Sequence, residues 1–420
     1  MPLSAIVSAP ERDRFTLWQR SPSDRPWSRE TQLLLLFARS HLDSSAKTRI
    51  TDLVNRPLDW SDFWEQVSIH KVSVLVLKNL RSLDLDGIPN DILDKLGSRC
   101  RQIGVDNLLL VRELRRLLDL FSIAHIPVIP YKGPVLAQQI YAQTALRNSS
   151  DLDLLVQPQH VEQARQVLIA HGYDRQWSLN AQQEEQLIQT FYTCEFTYPP
   201  CPRIYLELHW DICHQYSTFR RNLNPFWQRS QTINFQGKQT QTFTPEDWLL
   251  ILCIHGSKDN WKRLKWLCDL EALLSTYPDL DWRVVISRAQ ELGWEQPLII
   301  GLALISRLLD VVIPSSVDCL ISNLHTHQKT ITFLESHLFT EPEKRRALED
   351  FPHWNSNRFY RWRYLLNKLV PREPDYALIE LPQALFFLYY VIRPLRLLIE
   401  YGLKENRMRR ILTSLLKQKA

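Results

Sequence analysis

Glycine is scarce in this chain: 10 residues in 420, against about 7% in an ordinary protein. The ten stand at 87, 97, 104, 133, 172, 237, 256, 293, 301 and 402, and no two are closer than seven residues. A G-x-x-x-x-G-K loop and a G-x-G-x-x-G turn both need closer pairs, so the two common glycine-built phosphate cradles are excluded. Few tight turns beside 45% hydrophobic residues also argue against an all-β chain and for helix. Long apolar runs are missing too. The longest, Ala384 to Ile392, has nine residues and ends at Arg393-Pro394, whereas a membrane-spanning helix needs about 20. It predicts a buried helix, with peripheral membrane contact by the basic, leucine-rich tail from Arg393 to Lys419 as the alternative. Charge of one sign is also lacking: 51 Lys+Arg against 46 Asp+Glu leave +5, too little and too dispersed for a strong nucleic-acid signal. The seven cysteines (100, 194, 201, 213, 253, 268 and 319) are odd in number and scattered. Arg12 and Arg14 interrupt the N-terminus before an apolar run forms. No secretory signal and reduced thiols in a cytoplasm are the expectation.

What is present falls into four stretches: a polar leader over 1–28, helical patterns over 29–124, a change of texture over 125–240, and helical patterns again over 241–420. In the first helical stretch, Ser61 is the expected cap of one helix, and a helix over 106–122 presents Leu110, Leu114, Leu117 and Phe121 on one face. The texture then changes. Ile126-Pro-Val-Ile-Pro-Tyr131 is β-branched and bounded by prolines, so it predicts a strand. Lys132-Gly133-Pro134 follows and opens a helix, with proline in its first turn. Asp151-Leu-Asp-Leu-Leu-Val156 predicts a second strand. In the third, Ile204, Leu206, Leu208 and Trp210 share one face and Tyr205, Glu207, His209 and Asp211 the other. Thr244-Pro245-Glu246-Asp247 then starts a helix, with Thr244 as cap. The fold class expected is α+β: a small mixed sheet embedded between helical regions.

Asp151 and Asp153 are two apart, so both carboxylates project from one face of their strand. Like charges side by side repel unless a cation lies between them. Magnesium suits that place, because it takes hard oxygen ligands from one or two carboxylates and from phosphates. Glu207, on another strand, is a candidate third acid. An edge strand with solvated acids is the plain alternative. The Lys132-Gly133 turn at a helix N-terminus is the candidate phosphate cradle, and Arg147, Ser149 and Ser150 lie just ahead of the acids. His209 shares the strand face of Glu207, as a metal ligand, a proton acceptor or a structural histidine. Cys201, His209, Cys213 and His214 lack the paired spacing of a structural zinc site. His255, Lys258, Lys262, Lys265 and Asp269 form one polar stripe if a helix continues through Gly256-Ser257, either a cleft wall or a solvated face. Trp248, Trp261 and Trp266 are expected in the core.

The stretch PVIPYKGPVLAQQIYAQTALRNSSDLDLLV, with the ARQVLIAHGY helix and YLELHW after it, resembles the uncharacterised bacterial nucleotidyltransferase family of the DNA polymerase beta-like nucleotidyltransferase superfamily. The resemblance extends over most of the chain, through DWSDFWEQVSIHKVSVLVLKNL, the TPEDWLLILCIHGSKDNWKRLKWLCDLEALL region and LPQALFFLYYVIRPLRLL. It implies transfer of a nucleoside monophosphate from an NTP to a hydroxyl or phosphate, with two magnesium ions held by Asp151, Asp153 and Glu207. It also implies cleft roles for His255, Lys258 and Asp269. A small-molecule acceptor is the expectation; a toxin-like enzyme modifying tRNA ends is an alternative. Pro134 stands where that superfamily's loop has Gly or Ser, so one N–H is missing there. A catalytically inactive fold acting as a binding or regulatory module is therefore the other alternative.

Overall fold

The computed structural model describes residues 27–213, 223–340 and 369–402. Most of the polar leader, His214 and the tail beyond Gly402 lie outside the described residues. The N-terminal region is helical, as its patterns predict: α1 (Arg29–Phe37), α2 (Ser44–Val54), α3 (Trp60–His70), α4 (Ser73–Arg81) and α5 (Asn90–Ile123). The cap of α3 is Asp59 and not Ser61, because the Asp59 carboxylate accepts the N–H groups of Ser61 and Asp62, both at 3.0 Å. A side chain outside the helix can turn back onto those donors; one inside it cannot.

The α+β core follows: β1 (Val128–Pro130), α6 (Gly133–Tyr141), β2 (Leu152–Val156), α7 (Val161–Ala170), α8 (Ala181–Thr190), β3 (Thr193–Thr197) and β4 (Tyr205–His209). The sheet order is β1-β2-β4-β3; β2 and β4 run parallel while the outer pairs are antiparallel. Strand β3 has no counterpart in the sequence reading. Nor has the hairpin that follows α9 (Asn224–Arg229), formed by β5 (Gln231–Phe235) and β6 (Lys238–Thr242). Its loop, Gln236-Gly237, has φ of 50° and 83°, the left-handed pair that a two-residue hairpin demands.

Alternation along β2 and β4 sorts their residues between two environments. Leu152, Leu154, Val156, Leu206 and Leu208 are buried and pack with Leu114, Leu117 and Phe121 of α5, Leu168 of α7 and Leu187 of α8. Each such side chain contributes about 1.5–3 kcal/mol. On the other face Leu155 joins a second core, with Ile129, Phe243 and Trp248. The polar members of that face, Asp153, Glu207 and His209, are left to a cleft.

The chain then returns to helix: α10 (Pro245–Lys258), α11 (Leu264–Thr276), α12 (Trp282–Leu292), α13 (Glu295–Leu309) and α14 (Ile321–Leu338). Thr244 caps α10 as its sequence predicts, accepting from the Asp247 N–H. The helix does run on through Gly256-Ser257, the condition set for a single polar stripe, but it ends at Lys258, so the stripe from His255 to Asp269 is divided between α10 and α11. Trp261 N–H closes the end of α10 on Gly256 O at 2.8 Å. Asn260 and Trp261, at φ of 52° and 50°, reverse the chain. Trp248, Trp261 and Trp266 are all buried.

The last described segment contains α15 (Glu373–Leu378) and α16 (Tyr389–Leu397). Here the expected buried helix over 384–392 is corrected. It begins as a 3-10 turn, and only Phe386 and Tyr389 are buried, while Phe387 and Val391 are 63% and 54% exposed. The reason is position: the segment lies on the rim of the sheet's core and has a partner on one side, where Gln183 donates to Tyr376 O and to Tyr389 Oη. No helix among the described residues is long and apolar enough to cross a membrane.

Candidate active site

A cleft of about 280 Å³ lies between the polar face of the sheet and the ends of α10 and α11. The parallel register sets Asp153 directly beside Glu207, so the two carboxylates share a face on adjacent strands. His209, two residues on, is on that face as well. Its Nε2 lies 3.0 Å from Asp153 Oδ1 and 3.1 Å from Glu207 Oε2. One ligand atom from each of Asp153, Glu207 and His209 falls within 4.8 Å of the others. Asp151, one residue ahead of β2, lines the same cleft.

The acids are balanced by cations. Lys132 Nζ stands 3.3 Å from Asp153 Oδ1 and over the Tyr131 ring. Burial alone pushes the Asp153 carboxyl up, but Lys132 and the His209 hydrogen bond outweigh it and hold the carboxyl below its ordinary range. Burial likewise opposes the charges of Lys132 and His209; the neighbouring acids win in both, so both stay protonated to higher pH than usual. Asp151 has no such close partner. Burial, then the charge of Asp153, raises its pKa.

A second wall is basic. His255 and Lys258 come from α10, Arg263 from the turn and Lys265 from α11. Lys258 Nζ donates to Ile212 O at 2.7 Å and lies 4.4 Å from the Tyr192 ring centroid. Lys265 Nζ donates to Asn148 O at 3.1 Å. Burial, with Arg147 next in effect, brings the Lys265 ammonium down to about 7. Burial and the surrounding cations, Lys132 first, keep His255 neutral.

Of the residues singled out from the sequence, Lys132, Arg147, Ser150, Asp151, Asp153, Glu207, His209, His255, Lys258 and Lys265 line this cleft. Three stand behind it. Gly133 begins α6, with φ 57°. Ser149 is buried and meets Arg147 Nη1 at 3.4 Å. Asp269 accepts from Arg147 Nε at 3.1 and 3.0 Å and from Tyr141 Oη at 3.2 Å. That pairing makes Asp269 the anchor of the 144–150 loop, whose backbone Asn107 also ties down at Thr144 O and Arg147 O. Among the lining residues that the sequence gave no sign of are Tyr192, Asp259 and Arg263, while Tyr131 was expected only as the end of a strand and Trp266 only in the core. Tyr192 comes with β3 and gave no signal.

Two carboxylates and an imidazole converging in a buried, polar cleft, with a third carboxylate beside them, form a donor set that fits a divalent cation. Two buried polar atoms of the lining, His209 Nδ1 and Tyr131 Oη, have no hydrogen-bond partner among the described residues. Neither Cys201 nor Cys213 joins a metal-ligating group among those residues. A family model described as an uncharacterised nucleotidyltransferase matches residues 56–310. No curated protein and no solved structure matches the chain. The family match runs from just ahead of α3 to the end of α13 and so takes in every residue of the cleft: the chain belongs to the uncharacterised nucleotidyltransferase family.

Proposed function

We propose that the chain transfers a nucleoside monophosphate from an NTP to a hydroxyl of a small-molecule acceptor, as a divalent-cation-dependent enzyme of the DNA polymerase beta-like kind. The observation that carries this reading is the register of β2 with β4, which sets Asp153 beside Glu207 at the head of a cleft. Asp151, Asp153 and Glu207 would hold the cations, which supply a Lewis acid for the attacking and leaving oxygens. The chain's own groups do the rest. Lys132, at the start of α6, and Lys258 and Lys265 on the basic wall give positive charge to the triphosphate side. Neutral His255 accepts a hydrogen bond from the acceptor hydroxyl and cannot supply a proton in its place. Asp153 is buried, whereas Asp151 and Glu207 are half-buried and so face the side from which an acceptor enters.

The test is a thermal shift with mixed NTPs and a divalent cation, for wild type and Asp153→Asn. NTP and cation together are expected to stabilise the wild type by about 2.7 kcal/mol at 100-fold excess over Kd, and to leave the variant unmoved. A wild type that responds to no NTP with any divalent cation overturns the reading. A second reading, an inactive nucleotide-binding module, is favoured by one observation: Pro134, in the first turn of α6, has no N–H to offer. Binding without pyrophosphate release, across a panel of hydroxyl acceptors, selects it.

A further inference from the structure

We propose that His209 is itself a metal ligand through Nε2, and that the site therefore prefers manganese(II) and other imidazole-accepting ions over magnesium. This inference rests on the reading above that the cleft loads a divalent cation, and it adds which ion and through which atom. An all-oxygen triad would require the histidine to stand aside. It does not. Glu207 and His209 lie two apart on β4, so they share a face, and Nε2 is within 3.1 Å of a carboxylate oxygen from each neighbour. The ring is 3% exposed and is flanked by the rings of Tyr131 at 5.2 Å and Tyr192 at 6.2 Å between centroids. Packing of this kind fixes the ring plane and leaves Nε2 aimed at the acids; without a cation Nε2–H donates to them, and an arriving cation takes the place of that proton, which is released to solvent. The other nitrogen, Nδ1, is enclosed without a hydrogen-bond partner among the described residues, so the ring's polar function is at the cleft end.

The donor set is then two or three carboxylates and one imidazole. Magnesium demands near-octahedral oxygen coordination and gives up its water reluctantly. Imidazole nitrogen raises affinity along the first-row series and does little for magnesium. Ligating histidines ordinarily pass their second N–H to an acceptor that strengthens them, an effect worth about 10–100-fold. Nδ1 of His209 lacks that support, so the selectivity expected from this ring is modest: about tenfold in the ratio of magnesium to manganese dissociation constants.

The experiment uses the full chain with manganese(II) alone, without nucleotide. Electron spin-echo envelope modulation is expected to carry a nitrogen-14 component from the bound ion. Labelling histidine with nitrogen-15 in the wild type should replace it, a measurement that needs no variant to fold. His255→Gln should keep the nitrogen signal and His209→Gln lose it, while His209→Asp lowers the manganese preference about tenfold by calorimetry. Bound manganese with no histidine nitrogen overturns the proposal and leaves the enzyme reading standing on its carboxylates. Failure of the wild type to bind manganese without nucleotide also overturns the proposal, and the enzyme reading is then decided by its own test with NTP and cation together.

Discussion

Lys132 is held at φ 73° and ψ −140°, a conformation that glycine adopts freely and a lysine only under constraint. The constraint is visible: its ammonium is drawn to Asp153 while Gly133 behind it, also left-handed, starts α6. Strain of this kind costs about 1–3 kcal/mol, which the sequence has accepted to place one charge. Two variants separate the parts. Lys132→Ala keeps the strain and drops the charge; Lys132→Gly drops both. By urea unfolding, strain of about 1–3 kcal/mol less the extra chain entropy of glycine, about 0.4–1 kcal/mol, is expected to leave the glycine variant the more stable, and an alanine variant more stable than the glycine one would mean the backbone there is unstrained. Lys265 gives a pH prediction. Its folded pKa of about 7 lies below the ordinary 10.5, so burial penalises its charged form. The penalty is fully present below pH 7 and is relieved as pH climbs to 10.5, because over that window the unfolded chain binds a proton that the folded chain does not. Stability measured by denaturant should therefore carry a positive slope across this window from this one group, at most about 1.4 kcal/mol per pH unit. Lys265→Met should remove that contribution. An unchanged slope would place the ammonium in water. At this scale the sequence was informative about identity: the acids, Lys132 and the histidines all announced themselves by type and spacing. It was silent on state, since strain and proton affinity come from neighbours distant along the chain.

The junction of α10 and α11 is where one glycine decides the course of an element. A Cβ on Gly256 would lie 2.3–2.5 Å from the Trp261 ring, and Trp261 is wholly enclosed. The ring thus occupies the space a side chain would take, and the turn it anchors carries Arg263 and leads to Lys265. Gly256→Ala is expected to cost about 1–3 kcal/mol as overpacking. Tryptophan fluorescence should shift as Trp261 is displaced, and nucleotide affinity should fall with it. An alanine variant with native stability and spectrum would show that the ring has room. The polar stripe His255, Lys258 and Lys265 was legible, and all three reach the cleft. Its interruption was not, because nothing in the local pattern reveals that a tryptophan five residues on will fill the place of a missing Cβ. Strand β3 escaped for a related reason. Five residues at a sheet edge hold their shape through the ladder with β4, which local propensity does not encode.

At the scale of the molecule, the sheet has helices on both sides and the cleft opens where two of its layers meet. The C-terminal segment meets the outer side through Glu373, paired with Arg175 at 2.8 Å, and through Gln183, and it is braced from within by one carboxylate. Asp375 is fully enclosed and takes Arg393 Nη1 at 2.8 Å and Arg396 Nε at 2.6 Å, while also capping α15 through Arg372 N–H at 2.7 Å. Removing one partner of such a buried set costs about 3–5 kcal/mol. Asp375→Ala is expected to loosen the segment from within: amide exchange over 369–402 should accelerate at least tenfold, while the helices around the cleft keep their protection. Uniform acceleration throughout would mean the segment and the core unfold as one unit.

The sequence by itself determined which residues could do chemistry and which face of each strand they take. A period of two leaves no choice once Leu152, Leu154, Leu206 and Leu208 must be buried. It determined the α+β class as well, through the change of texture near Ile126. Only the tertiary structure decided which residues meet. The pairing of Asp153 with Glu207, the nearness of His209 to both, and the arrival of Lys258 and Lys265 opposite them depend on long-range register and helix packing. Those are fixed by how the two cores close together, and no window of sequence contains them.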